Sequence, residues 1–152
     1  MSITHGSFTV IRTYDADPDR VFRAWADPAA KAIWFGAGGE GADSSHDLDF
    51  RIGGRELNRG EFEGAVYRYE AVYHDIVEAE RIVYAYDMYK DDARISVSLS
   101  SVQLEPAGGG TKLTYTENGA FFDDADTTEQ RQAGTEQIFD ALGDALKAPA
   151  GT

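Results

Sequence analysis

The sequence predicts an α+β domain in which a long antiparallel sheet curls around one closing helix. Three observations carry this reading. Strand-like alternation runs almost unbroken from Leu48 to Asn118, two short helices precede it, and one amphipathic helix, Asp126 to Lys147, follows. A sheet of that extent must bury one face, and a lone helix covers it best when the sheet curves. The space between them is then expected to exceed what side chains fill, which suits an apolar small molecule.

The elements follow in order. From Ser7 to Tyr14, Phe8, Val10 and Arg12 alternate with Thr9, Ile11 and Thr13, a strand rich in β-branched residues. Asp17-Pro18 ends it and starts a helix, with Asp17 as cap, Pro18 at the first helical position and Asp19 at the positive dipole end. Val21, Phe22 and Trp25 form its apolar stripe. Asp27-Pro28 repeats the signal and starts a second helix through Ala32, Ile33 and Trp34. Gly36 to Gly41 reads as a flexible loop that could gate a cavity.

Leu48, Phe50 and Ile52 alternate with charged residues in a half-buried strand ending at Gly53-Gly54. Residues 55 to 61 are polar and read as an exposed edge strand whose charges block aggregation. Tyr67, Tyr69, Ala71 and Tyr73 share a face of the strand Val66 to Val77. Ile82, Tyr84, Tyr86 and Met88 share a face of the next, and Asp91-Asp92 turns the chain. Ile95, Val97 and Leu99 start another strand, whose apolar phase slips to Val102 and Leu104, predicting a bulge near Ser100-Ser101. Ala107 to Gly110 is a hairpin turn leading to Leu113 and Tyr115. In the last helix Asp126 is the expected cap, with Glu129 at capping-box spacing, and Ile138, Leu142, Ala145 and Leu146 form a stripe with Phe139 beside it.

Composition bounds the function. A chain of 152 residues is expected to form one domain, 1–152, with one core. Fourteen basic residues against 27 acidic ones leave a net charge of −13. Such a surface repels phosphate backbones and anionic lipid, so neither nucleic acid nor membrane is an expected partner. No apolar run approaches the roughly 20 residues that span a bilayer. The N-terminal residues lack a basic and apolar leader pattern, and a cytoplasmic address is the expectation. There are no cysteines, hence no disulfide, thiolate metal site or thiol nucleophile.

The motifs are mostly turns and caps. Gly36-Ala-Gly38-Gly-Glu-Gly41 matches a dinucleotide string, but a helix precedes it where the mechanism requires a strand. Gly108 to Lys112 lacks phosphate-loop spacing. His5, His46 and His74 fall in no metal-ligating arrangement, so neither metal nor cofactor is expected. The tyrosines are more informative. A core built for stability alone favours Leu, Ile and Val, because a buried hydroxyl needs a partner. A pocket accommodates Tyr as an apolar wall with a polar tip. Glu56 is a candidate general acid or base: facing inward it would bring Asn58 with it and need a cation or a raised pKa.

The opening Ser7 to Tyr14 with Pro18 to Pro28, the Leu48-Asp49-Phe50-Arg51-Ile52-Gly53-Gly54-Arg55 element, Glu80 to Tyr84, Leu113 to Phe121 and the Gly134 to Leu146 helix together resemble the SRPBCC (START-like) superfamily. In particular they resemble the branch of activator of heat-shock protein 90 ATPase homologues. The resemblance implies a helix-grip fold, with about seven antiparallel strands around the C-terminal helix and two small helices closing one end. It implies binding of lipids, hormones or polyketides, polyketide cyclisation or dehydration, or stimulation of a chaperone ATPase. No catalytic set is common to such proteins, so none is carried over. The activator itself has a further domain that a chain of this length is not expected to hold.

The favoured expectation is a binding module, not an enzyme, that holds a small hydrophobic or aromatic molecule. Trp34 and Phe35 would stand near the entrance, with Phe50, Tyr67, Tyr69, Tyr84, Tyr86, Val97, Leu99, Tyr115 and Ile138 as the wall. The alternatives are a polyketide cyclase or dehydratase using Glu56 or a cavity tyrosine, and a co-chaperone-like protein, with a chaperone partner not favoured. Monomer and homodimer are both open.

Overall fold

The structure is a computed structural model that describes residues 2–35 and 45–147. Its elements run β1 (Ile3–Tyr14), α1 (Pro18–Ala26), α2 (Pro28–Trp34), β2 (Ser45–Leu48), β3 (Arg55–Phe62), β4 (Ala65–Val77), β5 (Arg81–Lys90), β6 (Ala93–Ala107), β7 (Gly110–Phe122) and α3 (Thr128–Lys147). The strands form one antiparallel seven-stranded sheet in the order β1-β7-β6-β5-β4-β3-β2. This is the α+β helix-grip arrangement: the curved sheet wraps α3, and α1 and α2 follow the first strand.

Local chemistry accounts for most boundaries. Asp17 accepts from the Arg20 amide at 2.8 Å and Asp27 from the Ala30 amide at 3.0 Å, each followed by Pro at the first helical position. In α3 the cap is Thr127, whose hydroxyl accepts from the Gln130 amide at 3.1 Å. Asp126, the expected cap, turns its carboxylate to Arg131 instead. Two features help seat α3 on β1. The Tyr14 hydroxyl donates to the Phe139 carbonyl at 2.9 Å. A Cβ on Gly6 would stand 1.8 Å from Thr128 Oγ1, so only glycine lets the helix start this close to the strand.

Three strand expectations are corrected. The strand through Leu48, Phe50 and Ile52 ends at Leu48, and Ile52 is exposed in the turn that follows. Residues 55 to 61 are not a free edge strand, because β2 pairs outside β3 along residues 56–59. The bulge in β6 lies at Ile95, where the register shifts between Met88↔Ser96 and Tyr89↔Arg94, rather than at Ser100-Ser101. Ile95 and Ser96 are therefore both buried, and every even position from Ser96 to Leu104 faces inward. Val97 and Leu99 face out, and Leu99 is 50% exposed. The physical reason is room. Tyr84, Tyr86 and Met88 on β5 stand opposite Ser100, Ser98 and Ser96, and bulky neighbours there would collide with the rings.

Candidate functional site

A cavity of about 230 Å³ lies between α3 and the inner face of the sheet. Its aromatic wall comes from Trp25 of α1, Phe35 after α2, Tyr69 of β4, Tyr84 and Tyr86 of β5, Tyr115 of β7 and Phe139 of α3. Met88 and Ile138 complete the apolar lining, while Asn58, Gln130, Gly134 and Thr135 add smaller or polar groups. Gly134 is exposed as well as lining, which places it at the mouth. The rings brace one another: Tyr69–Tyr86 centroids are 4.8 Å apart, Phe35–Tyr69 5.0 Å, Tyr115–Phe139 5.1 Å and Trp25–Phe139 6.0 Å. Burial, ahead of any charge nearby, raises the pKa of Tyr69, Tyr84, Tyr86 and Tyr115, so these hydroxyls keep their protons.

The wall thus gathers Phe35, Tyr69, Tyr84, Tyr86, Tyr115 and Ile138 from the sequence-based expectations, and leaves out the rest. Trp34 is buried behind it, edge-on to Trp25 at 4.8 Å with its indole N–H on the Ala24 carbonyl. Phe50 packs between Phe22 and Tyr73, and Tyr67 lies against Phe62. Val97 and Leu99 line a depression on the opposite face of the sheet, because the bulge precedes them. The Gly36 to Gly41 gate lies outside the described residues.

Two buried polar networks flank the cavity, and sequence reasoning missed the cation in each. The first is on the wall. Arg131 donates to the Tyr86 hydroxyl at 2.7 Å, Glu117 at 3.3 Å and Ser96 at 2.8 Å, and to Asp126 through both Nε (3.1 Å) and Nη2 (2.9 Å). Glu117 also accepts from Tyr86 at 2.8 Å and from Tyr115 at 2.5 Å, and Ser100 bonds Tyr115 at 2.8 Å. Burial works against the Arg131 charge, but Tyr86, Glu117 and Asp126 outweigh it and hold its pKa above the ordinary arginine value. The signal was present in the sequence: carrying the α3 stripe back in steps of four from Phe139 reaches Thr135 and Arg131.

The second network lies outside the cavity lining. Glu56 is fully buried, with Oε1 accepting from Lys31 at 2.6 Å and Tyr73 at 2.7 Å and Oε2 within 2.6 Å of His46 Nε2. Lys31, equally buried, sits 4.4 Å from the Phe35 ring centre and 5.1 Å from that of Trp25. Burial pulls the Lys31 pKa down, and Glu56 opposes that. Burial alone would raise the Glu56 pKa. The Lys31 charge and hydrogen bonds from His46, Lys31 and Tyr73 overcome it and lower the value to about 2. The expected exposed charge is therefore a saturated buried carboxylate. With both oxygens occupied and no place on the cavity wall, it is poorly placed to move a substrate proton.

A family model described as activator of Hsp90 ATPase homolog 1-like protein matches residues 15–147. The chain belongs to this family. The chain is 42% identical to the Mll3558 protein from Rhizobium loti, with a TM-score of 0.87 over 95% of this chain and 99% of that one. It is 41% identical to an uncharacterised protein from Rhizobium leguminosarum, with a TM-score of 0.90 over 96% and 97%. DynU16, from the dynemicin biosynthetic locus, shares the fold alone: 17% identity and a TM-score of 0.67 over 93% of this chain and 47% of that one. No curated protein is significantly similar to the chain. Among the described residues no helix is long and apolar enough to cross a membrane, and no three His, Asp or Glu side chains are grouped to hold a metal ion.

Proposed function

We propose that this protein binds a small apolar or aromatic molecule in the cavity between α3 and the inner face of the sheet. The observation that carries the reading is an aromatic-lined space of about 230 Å³ whose charged neighbours already satisfy one another. Ligand sites are largely apolar hollows with a few fixed polar groups, and this one has that composition. Family membership supports it, since the START-like resemblance implies ligand binding.

Among the described residues the carboxylates at or near the wall are engaged, Asp126 of the lining by Arg131, which favours binding over turnover. Glu56 is committed to Lys31, Tyr73 and His46, and Glu117 to Arg131, Tyr86 and Tyr115. The test is native mass spectrometry of protein purified from its own host, on wild type and Gly134→Phe. Gly134 lines the cavity and a Cβ there meets nothing within 4 Å, so a larger side chain has room beside the mouth without displacing the fold. A small molecule should accompany the wild type and be lost from the variant. Wild-type protein that carries nothing, and whose melting temperature no small aromatic raises, would refute the reading. Glu56→Gln should leave any ligand affinity unchanged, whereas a catalytic Glu56 would show as loss of turnover at constant affinity.

A further inference from the structure

We propose that the ligand is a compact neutral aromatic bearing one hydrogen-bond acceptor, which the Tyr69 hydroxyl and the Trp25 indole N–H receive. This rests on the binding reading above and narrows it. Size is the first argument. At water's share of roughly 30 Å³ per molecule, a 230 Å³ cavity holds on the order of ten heavy atoms. That suits one or two rings.

Unpaired polar atoms are the second argument. Tyr69 and Trp25 both line the cavity, and the Tyr69 hydroxyl and Trp25 Nε1 are buried with no hydrogen-bond partner. Each such group costs roughly 1–3 kcal/mol while unmet. Indole nitrogen only donates, and the Tyr69 hydroxyl keeps its proton, so both call for an acceptor such as a carbonyl, ether or ring nitrogen.

Charge is the third argument. Arg131 is the guanidinium on the wall, and its N–H groups are taken: Nε by Asp126, Nη1 by Tyr86 and Glu117, Nη2 by Ser96 and Asp126. One guanidinium faces two carboxyl groups, Glu117 and Asp126, and the whole chain carries −13. An anion entering here would lose its hydration and find no free donor fork.

Calorimetry with acetophenone, ethylbenzene and benzoate tests this, because the three are close in size and differ in acceptor and charge. Acetophenone should bind about 3- to 10-fold more tightly than ethylbenzene, the worth of one net hydrogen bond, and benzoate should not bind measurably. Tyr69→Phe should lower the ratio of acetophenone to ethylbenzene affinity toward one. Proton NMR gives a second readout without mutation. Acetophenone should shift the Trp25 indole N–H, while that of Trp34, already bonded to the Ala24 carbonyl, stays in place as an internal control. Equal affinity for ethylbenzene, comparable binding of benzoate, or an unmoved Trp25 signal at saturation would overturn the acceptor and leave cavity binding standing. Failure of all three probes to bind, together with wild-type protein that carries nothing from its host, would overturn both.

Discussion

Lys31 and Glu56 are each fully buried, and neither tolerates the other's removal. A paired buried charge gains little over an apolar replacement, but an abandoned one costs roughly 3–5 kcal/mol. Glu56→Gln alone should therefore lower unfolding free energy by about that amount in urea titration. Lys31→Met combined with Glu56→Gln should recover part of the loss, which a double-mutant cycle would measure. The same pair predicts a pH dependence. The folded carboxyl protonates near about 2 against 4.5 for the free group, so the unfolded chain takes up the proton first. Its contribution, on the order of 3 kcal/mol, is complete above pH 4.5 and drains away as pH falls toward 2. Stability curves across that window should be steeper for wild type than for Glu56→Gln; parallel curves would mean that the carboxyl does not hold its low pKa.

At the scale of elements, β6 decides where the cavity can exist. The bulge at Ile95 sends Ser96, Ser98 and Ser100 inward and Val97 and Leu99 outward. Small inner residues on β6 leave space for the tyrosines of β5 and for Arg131 reaching across from α3. Leu99→Thr should consequently change stability by less than about 0.5 kcal/mol, as at an exposed position. Ser100→Leu, at the buried position beside it, should cost roughly 1–3 kcal/mol through overpacking and loss of the Tyr115 bond. Thermal unfolding of the two variants checks the phase: the opposite ranking would place the bulge after Leu99. Thr127→Ala at the α3 cap should cost about 1 kcal/mol in the same assay.

For the molecule as a whole, the sheet supplies one wall, α3 the other, and Trp25 and Phe35 from the α1–α2 end close the space. Filling it stabilises the fold by mass action, about 2.7 kcal/mol at a hundredfold excess of ligand over its dissociation constant. A bound ligand should thus raise the melting temperature of the wild type and not that of Gly134→Phe. Gly134→Ala separates helix propensity from occlusion: it should add up to about 1 kcal/mol of stability with little effect at the mouth.

Local signals were enough for most of the elements. The repeated Asp-Pro starts, the alternation in β1, β4 and β5 and the α3 stripe each depend on residues within one or two turns of one another, and each appears where the pattern placed it. The aromatic half of the site was legible for the same reason, since inward parity on β4 and β5 holds until a bulge intervenes. What only the tertiary structure decided is everything that depends on partners far apart in sequence. The parity of β6 follows from the rings of β5 and the reach of Arg131. The burial of Glu56 follows from a lysine 25 residues earlier and from His46 on the neighbouring β2. A charge reads as exposed in sequence because its desolvation cost is visible there and its counter-charge is not.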